Sequence, residues 1–280
     1  MSGAHRRPLA EGKDYPMRIA LAQVLSTADP QRNLVTVRDH ARQAKEAGAT
    51  LVVFPEAMQV SFGHDLAKYA QALDGPWSTL IRQQARDIGI TIAVGMFTPG
   101  EGGRVRNTLL VAGDGVDTHY DKIHLYDAFG YAESDSVTPG QSPVQFEHEG
   151  AIIGLATCYD LRFPRLFTRH AQAGALICIV SASWGQGEGK TEQWTTLAQA
   201  RALDSTTFVV AVDQADPQSI GRTVTGTAPL GVGHSLVVDP LGRVIARAGA
   251  EPELLVVDLD LEQVEAARQQ LPVLANAVDL

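Results

Sequence analysis

The chain of 280 residues passes twice through the order strand, helix, strand, helix, strand, and this duplication limits its possible folds more than any other feature. The segment "AKEAGATLVVFPEA" has a partner far downstream in "AQAGALICIVSASW". Each joins an Ala-rich helix end to an apolar strand through a Gly turn. The correspondence extends outward, "MRIALAQ" with "AIIGLATC" and "RQQARDIGITIAVGMF" with "AQARALDSTTFVVAVD". Each half then closes in a hairpin-like pattern, "RNTLLVAGDGVDTHYDKIHL" and "GHSLVVDPLGRVIARAG", with Gly-Asp-Gly and Asp-Pro-Leu-Gly as turns. The halves span roughly Met17 to Leu125 and Ala151 to Asp260.

Amphipathic helices such as "NLVTVRDHARQAKEAG" cover one face of each sheet, yet the strands are near-continuous apolar runs that need cover on both. If the remaining faces cover each other, the result is an α/β fold with four layers, an α-β-β-α sandwich with an internal pseudo-twofold axis. Residues 17–280 then form one domain behind a flexible N-terminal tail, 1–16. The alternative is two doubly wound domains side by side, but no Gly/Ser/Pro linker separates the halves.

A formal net charge of −9 argues against nucleic acid or an anionic membrane as partner, since both demand concentrated Lys and Arg. No apolar run approaches the ~18 residues that span a bilayer, and the N-terminus "MSGAHRRPLAEGKDYP" lacks the apolar core of a secretion signal. Small molecules and other proteins remain as partners, and a cytoplasmic protein is expected. The two cysteines, Cys158 and Cys178, are too few for a disulfide framework, and no metal-ligand spacing accompanies them.

Three positions invite chemistry. The apolar strand "LVVFPEA" ends in Glu56 without the polar neighbours of a surface carboxylate. The run "IIGLATCYDLRFPRLF" meets a sharp change at Cys158 and enters a helix after Pro164, and an elbow of that kind presents its side chain outward. A nucleophilic thiol needs a base. The histidines His40, His119, His124, His148, His170 and His234 are scattered, and none ends a strand facing the elbow, so a carboxylate from a neighbouring strand, Glu56, is the candidate. Lys122, closing the first hairpin in "HYDKIHLYD", can supply a fixed positive charge where an oxyanion forms. Glu133 lies in the loop "YAESDSVTPG", and Cys178, inside "ALICIVS", reads as core.

The segments "FPEA", "DKIHLYD" and "CYDLRFPRL", in this order, resemble the three signatures of the nitrilase superfamily of carbon–nitrogen hydrolases, and the elbow is similar to that of Nit-type amidases, which include ω-amidases and deaminated-glutathione amidases. The resemblance implies the α-β-β-α sandwich and a Glu-Lys-Cys triad on Glu56, Lys122 and Cys158, with an additional glutamate on Glu133. It implies hydrolysis of a non-peptide amide through a thioester, without metal or cofactor, in a homodimer or higher homo-oligomer; the C-terminal "LEQVEAARQQLPVLANAVDL" is a candidate for that contact. The backbone N–H of Tyr159, together with Arg162 and Trp184, supplies candidates for oxyanion or substrate binding. Arg162 either pairs with a substrate carboxylate or braces the elbow through Asp160. Arg165 stands where the family usually has glutamate, and the loop "YDAFGYAES" is shorter than is typical, which leaves the substrate open. N-carbamoyl compounds and nitriles are alternative substrates, and a non-catalytic binding protein with a redox-sensitive thiol is the alternative of another class.

Overall fold

A computed structural model describes residues 16–224 and 226–278, so the expected tail, apart from Pro16, lies outside the described residues. The first half contributes β1 (Met17–Gln23), α1 (Pro30–Glu46), β2 (Leu51–Val53), α2 (Leu66–Tyr69), α3 (Pro76–Ile88), β3 (Thr91–Pro99), β4 (Val105–Gly113) and β5 (Val116–Asp121). Helix α1 starts three residues before the apolar pattern predicts. Pro30 suits its first turn and the Asp29 carboxylate caps it, accepting from Gln31 N at 2.9 Å.

A small hairpin follows, β6 (Asp127–Ala128) and β7 (Tyr131–Ala132). The second half then brings β8 (Gln145–His148), β9 (Ala151–Thr157), α4 (Pro164–Gln172), β10 (Ile177–Ala182), α5 (Lys190–Ser205), β11 (Phe208–Asp213), β12 (Leu236–Val238) and β13 (Val244–Arg247). The chain ends in β14 (Glu253–Leu259), α6 (Glu262–Gln270) and α7 (Val273–Asn276).

The two large sheets have matching orders, β14-β1-β2-β3-β4-β5 and β8-β9-β10-β11-β12-β13. In each, three parallel strands are flanked by antiparallel ones. Alternation along the strands sorts side chains into layers. Ile19, Leu21 and Val53 of the first sheet meet Ile153, Leu155 and Ile179 of the second in one inner core. Their neighbours Ala20, Ala22 and Val52 face α1 and α3, while Ala156, Cys178 and Val180 face α4 and α5. Each large side chain buried in this way stabilises the fold by about 1.5–3 kcal/mol. The expected four-layer α-β-β-α sandwich is what forms.

One element departs from a plain duplication. Strand β14 follows the second hairpin in sequence but pairs with β1 in the first sheet, from Met17 opposite Leu259 to Gln23 opposite Glu253. The second sheet fills its equivalent edge with β8, which precedes its half. Part of the C-terminal segment expected at a dimer contact packs inside the same chain, with Val264 of α6 in the inner core. Among the described residues no helix is long and apolar enough to cross a membrane.

Candidate active site

The parallel strands of the two sheets end at one cleft. Glu56, Lys122, Glu133 and Cys158 all line it, as do Tyr159, Arg162 and Trp184. Each reaches it from a different turn: Glu56 after β2, Lys122 after β5, Glu133 after β7, and Cys158 after β9.

Close backbone packing fixes Glu56. A methyl group on Gly95 of β3 would come within 2.8 Å of Glu56 Cα, so only glycine lets the "FPEA" turn lie on that strand. Gln214 Nε2 donates to Glu56 O at 2.9 Å, tying the turn to the second half. Cys158 begins the short 3-10 turn Cys158–Arg162 with φ of 47°, in the left-handed region. A non-glycine residue held there costs about 1–3 kcal/mol, a strain that packing must offset.

Asp160 supplies much of that hold. Its Oδ2 accepts from Tyr120 Oη at 2.7 Å and Thr157 N at 2.8 Å, and its Oδ1 from His124 N at 3.0 Å, with His124 Nδ1 2.7 Å away. The elbow of the second half is thereby fastened to the strand end that carries Lys122. His124 lies beside the elbow, but its ring bonds Asp160 and stacks on Phe163 rather than facing the thiol.

The buried charges form one array. Lys122 Nζ lies 3.0 Å from Glu56 Oε1 and 2.8 Å from Glu133 Oε2. Asn107 Nδ2, which the sequence reading passed over, donates to the same two carboxylates, at 2.6 Å to Glu56 Oε1 and 2.9 Å to Glu133 Oε1. Tyr126 N donates to Glu133 Oε2 at 2.7 Å, and Ser183 N to Glu56 Oε2 at 2.8 Å. The Cys158 thiol points toward Ser183 O at 3.7 Å, so one residue of the β10 turn touches both the carboxylate and the sulfur. Nothing in the polar start of β4, Arg106-Asn107-Thr108, singles out Asn107, and nothing local marks the Ser183 N–H.

Burial pushes the Cys158 thiol well above its ordinary value, Glu56 adds to this, and Lys122 opposes it. Burial likewise raises Glu56 against the pull of Lys122. For Lys122 burial acts downward, but Glu133 and Glu56 outweigh it and hold the ammonium well above the usual lysine range. The resting site therefore contains a neutral thiol and a fixed cation, with a carboxylate whose proton affinity is enhanced. Cys178 is buried away from this array, its thiol pushed up to about 12 by burial. Among the described residues no group of three or more His, Cys, Asp or Glu could hold a metal ion.

The sequence pattern of the carbon–nitrogen hydrolases matches residues 18–269. The chain belongs to the carbon–nitrogen hydrolase family. It is 52% identical over 269 residues to a Mycobacterium tuberculosis protein described as a hydrolase, covering 94% of this chain and 96% of that one. To the deaminated glutathione amidase of Escherichia coli O157:H7 it is 35% identical over 265 residues, covering 93% and 97%. Among solved structures, a mutant of the nitrilase-superfamily amidase from Nesterenkonia sp. AN1 superimposes with a TM-score of 0.74 at 27% identity, over 92% of this chain and 96% of that one. That mutant shows covalent addition of the acetamide moiety of fluoroacetamide at its active-site cysteine. Family membership makes this protein an enzyme, and the alternative of a non-catalytic binding protein falls away.

Within this carbon–nitrogen hydrolase, Arg162 does not brace the elbow through Asp160. Its Nη2 donates to Gln193 Oε1 at 2.7 Å, and its guanidinium carbon lies 5.1 Å from the Trp184 ring and 5.9 Å from the Tyr159 ring. Trp184 is anchored at both ends, its N donating to Asp213 Oδ1 at 2.7 Å and its Nε1 to Lys190 O at 3.0 Å.

Proposed function

We propose that this carbon–nitrogen hydrolase cleaves the amide of a small, carboxylate-bearing substrate through a thioester on Cys158. The observation that carries the proposal is the shared burial of thiol, carboxylates and ammonium at one cleft. With the thiol pushed up and Glu56 also raised by burial, a free thiolate is costly before substrate arrives. The proton therefore passes to Glu56 as the sulfur–carbon bond forms.

The oxygen of the tetrahedral adduct becomes negative. It is stabilised by Lys122 and by the N–H of Tyr159, which opens a 3-10 turn and so has no acceptor within it. The carbon–nitrogen bond then breaks, with Glu56 returning its proton to the departing ammonia or amine. Water attacks the thioester, Glu56 takes the water's proton, and the sulfur leaves to be reprotonated as the acid forms. Glu133 takes no proton in this scheme: with Asn107 it orients Lys122 and offsets its charge.

The acetamide addition seen on the active-site cysteine of the Nesterenkonia amidase supports Cys158 as the acylated atom. Arg162, bonded to a neutral amide beside the cleft, supports a carboxylate on the substrate. The same reading has the enzyme work as a homodimer on a diffusible substrate in the cytoplasm. Ammonia release from ω-amides of oxo acids, deaminated glutathione, simple aliphatic amides, N-carbamoyl amino acids and nitriles tests it. Fastest turnover of an acidic amide is expected. A preference for N-carbamoyl compounds or nitriles would move the same residues to a different carbon–nitrogen bond.

A further inference from the structure

The mechanism leaves one fully buried carboxylate unused, that of Asp213 at the end of β11. Burying such a group is costly unless it is well bonded, and here backbone N–H groups meet it rather than a cation. Trp184 N donates to its Oδ1 at 2.7 Å and Val232 N to its Oδ2 at 2.8 Å. The two donors belong to separate turns, which Gly231 N joins again by donating to Trp184 O at 3.1 Å. A carboxylate offers an acceptor to each donor, whereas an asparagine would turn its own N–H groups toward one of them.

Gln214 follows directly and faces the other way. Along β11, Val209 and Ala211 face the helices while Val210 and Val212 face the inner core, and the same alternation puts Asp213 on the helix side and Gln214 between the sheets. Gln214 Nε2 donates to Glu56 O at 2.9 Å and to Ser26 Oγ at 2.7 Å, and its Oε1 accepts from Ser26 N at 2.8 Å. Glycine at 231 leaves room for it, since a methyl group there would lie 2.6 Å from Gln214 Cβ.

Glu56 is therefore gripped twice by two successive residues. Gln214 holds its main chain directly. Asp213 holds the Ser183–Trp184 turn, whose Ser183 N donates to Glu56 Oε2 at 2.8 Å and whose Ser183 O lies 3.7 Å from the Cys158 sulfur. The carboxylate comes from the first half and the thiol from the second, and a misplacement of about 1 Å between reacting groups can cost about 10²-fold in rate. We infer that Asp213 and Gln214 are positioning residues that set the Glu56 carboxylate against the Cys158 thiol across the two halves. The inference rests on the roles of Glu56 and Cys158 given above.

The test measures kcat and KM for p-nitrophenyl acetate, per folded molecule, in the wild type, Asp213→Asn, Gln214→Leu and Glu56→Gln, with Cys158→Ala as the blank. Asp213→Asn keeps the size of the side chain but loses one acceptor, and Gln214→Leu keeps the test open should that variant not fold. Each should lower kcat by about tenfold to a hundredfold without raising KM, the mark of misplaced reacting groups. Glu56→Gln should lose at least as much. A lower Tm with wild-type kcat per folded molecule in both variants would assign the two residues to stability alone and overturn the inference. A raised KM at unchanged kcat would overturn it too, because the pair would then shape the cleft wall instead. If Glu56→Gln is slow while the other two are unaffected, only the positioning role fails; if Glu56→Gln keeps the wild-type rate, the reading of Glu56 fails and the inference with it.

Discussion

Asn107 sits where two carboxylates meet, and one amide nitrogen serves both. Its two N–H bonds hold Glu133 in place and stabilise the ionised form of Glu56, adding to the effect of Lys122 without adding charge. Asn107→Ala should leave those oxygens short of a donor inside the protein, a loss of about 1–3 kcal/mol in stability. It should also shift catalysis with a definite sign. The Asn107 hydrogen bond lowers the Glu56 pKa, which burial has already raised, so its removal raises that pKa further. Glu56 accepts a proton only when ionised, and the acid limb of the kcat/KM profile should therefore move to higher pH. A limb that stays in place would mean that Glu56 is not the group titrating there. At this scale Glu56, Lys122 and Cys158 were legible because each interrupts or ends a recognisable pattern. Ser183 was not, since it contributes a backbone N–H that sequence does not advertise.

At the scale of elements, Asp213 ends β11 and clamps the turns on either side of it. Trp184 N, just after β10, donates to Oδ1 at 2.7 Å, and Val232 N, before β12, to Oδ2 at 2.8 Å. Burial raises its pKa to about 7, although these backbone N–H groups pull the other way. From its ordinary value of 3.8 up to about 7, the folded protein keeps a proton that the unfolded chain has released. Stability from this group is therefore full below the lower value and falls by about 1.4 kcal/mol per pH unit across the window, levelling off above it. Asp213→Asn should flatten the dependence of Tm on pH between these limits, while lowering Tm at every pH through the loss of one acceptor. An unchanged slope in thermal melts would contradict the assignment. The strands and helices were legible in outline, because apolar periodicity follows from layers that each strand and helix must face. The crossing of β14 was not, since pairing with β1 or with its own half's sheet places the same apolar pattern against similar neighbours.

The whole molecule is a duplicated scaffold with chemistry that is not duplicated. Cys158 follows β9, and the equivalent place after β1 holds Val24; Glu56 follows β2, and by strand register its counterpart is Ala182 at the end of β10. Stacking the two sheets over one inner core brings the carboxylate of one half to the thiol of the other, a meeting that neither half could achieve alone. The repeat made the sandwich legible; the shared cleft depends on how the sheets face each other, which the apolar pattern leaves open. The central claim, that Glu56 serves the Cys158 thiol and then the water that frees it, is tested most directly by intact-protein mass spectrometry of Glu56→Gln treated with an activated acyl ester. Glutamine preserves the shape of the site but cannot take a proton, and a lost general base commonly slows a step about 10²–10⁴-fold. Acylation also loses the base for the thiol, but the good leaving group needs no proton, so acylation should recover in part while thioester hydrolysis stalls. One acyl mass should accumulate on Cys158 and be absent when Cys158→Ala is added. Full turnover per folded molecule of Glu56→Gln, with no adduct on Cys158, would contradict the account.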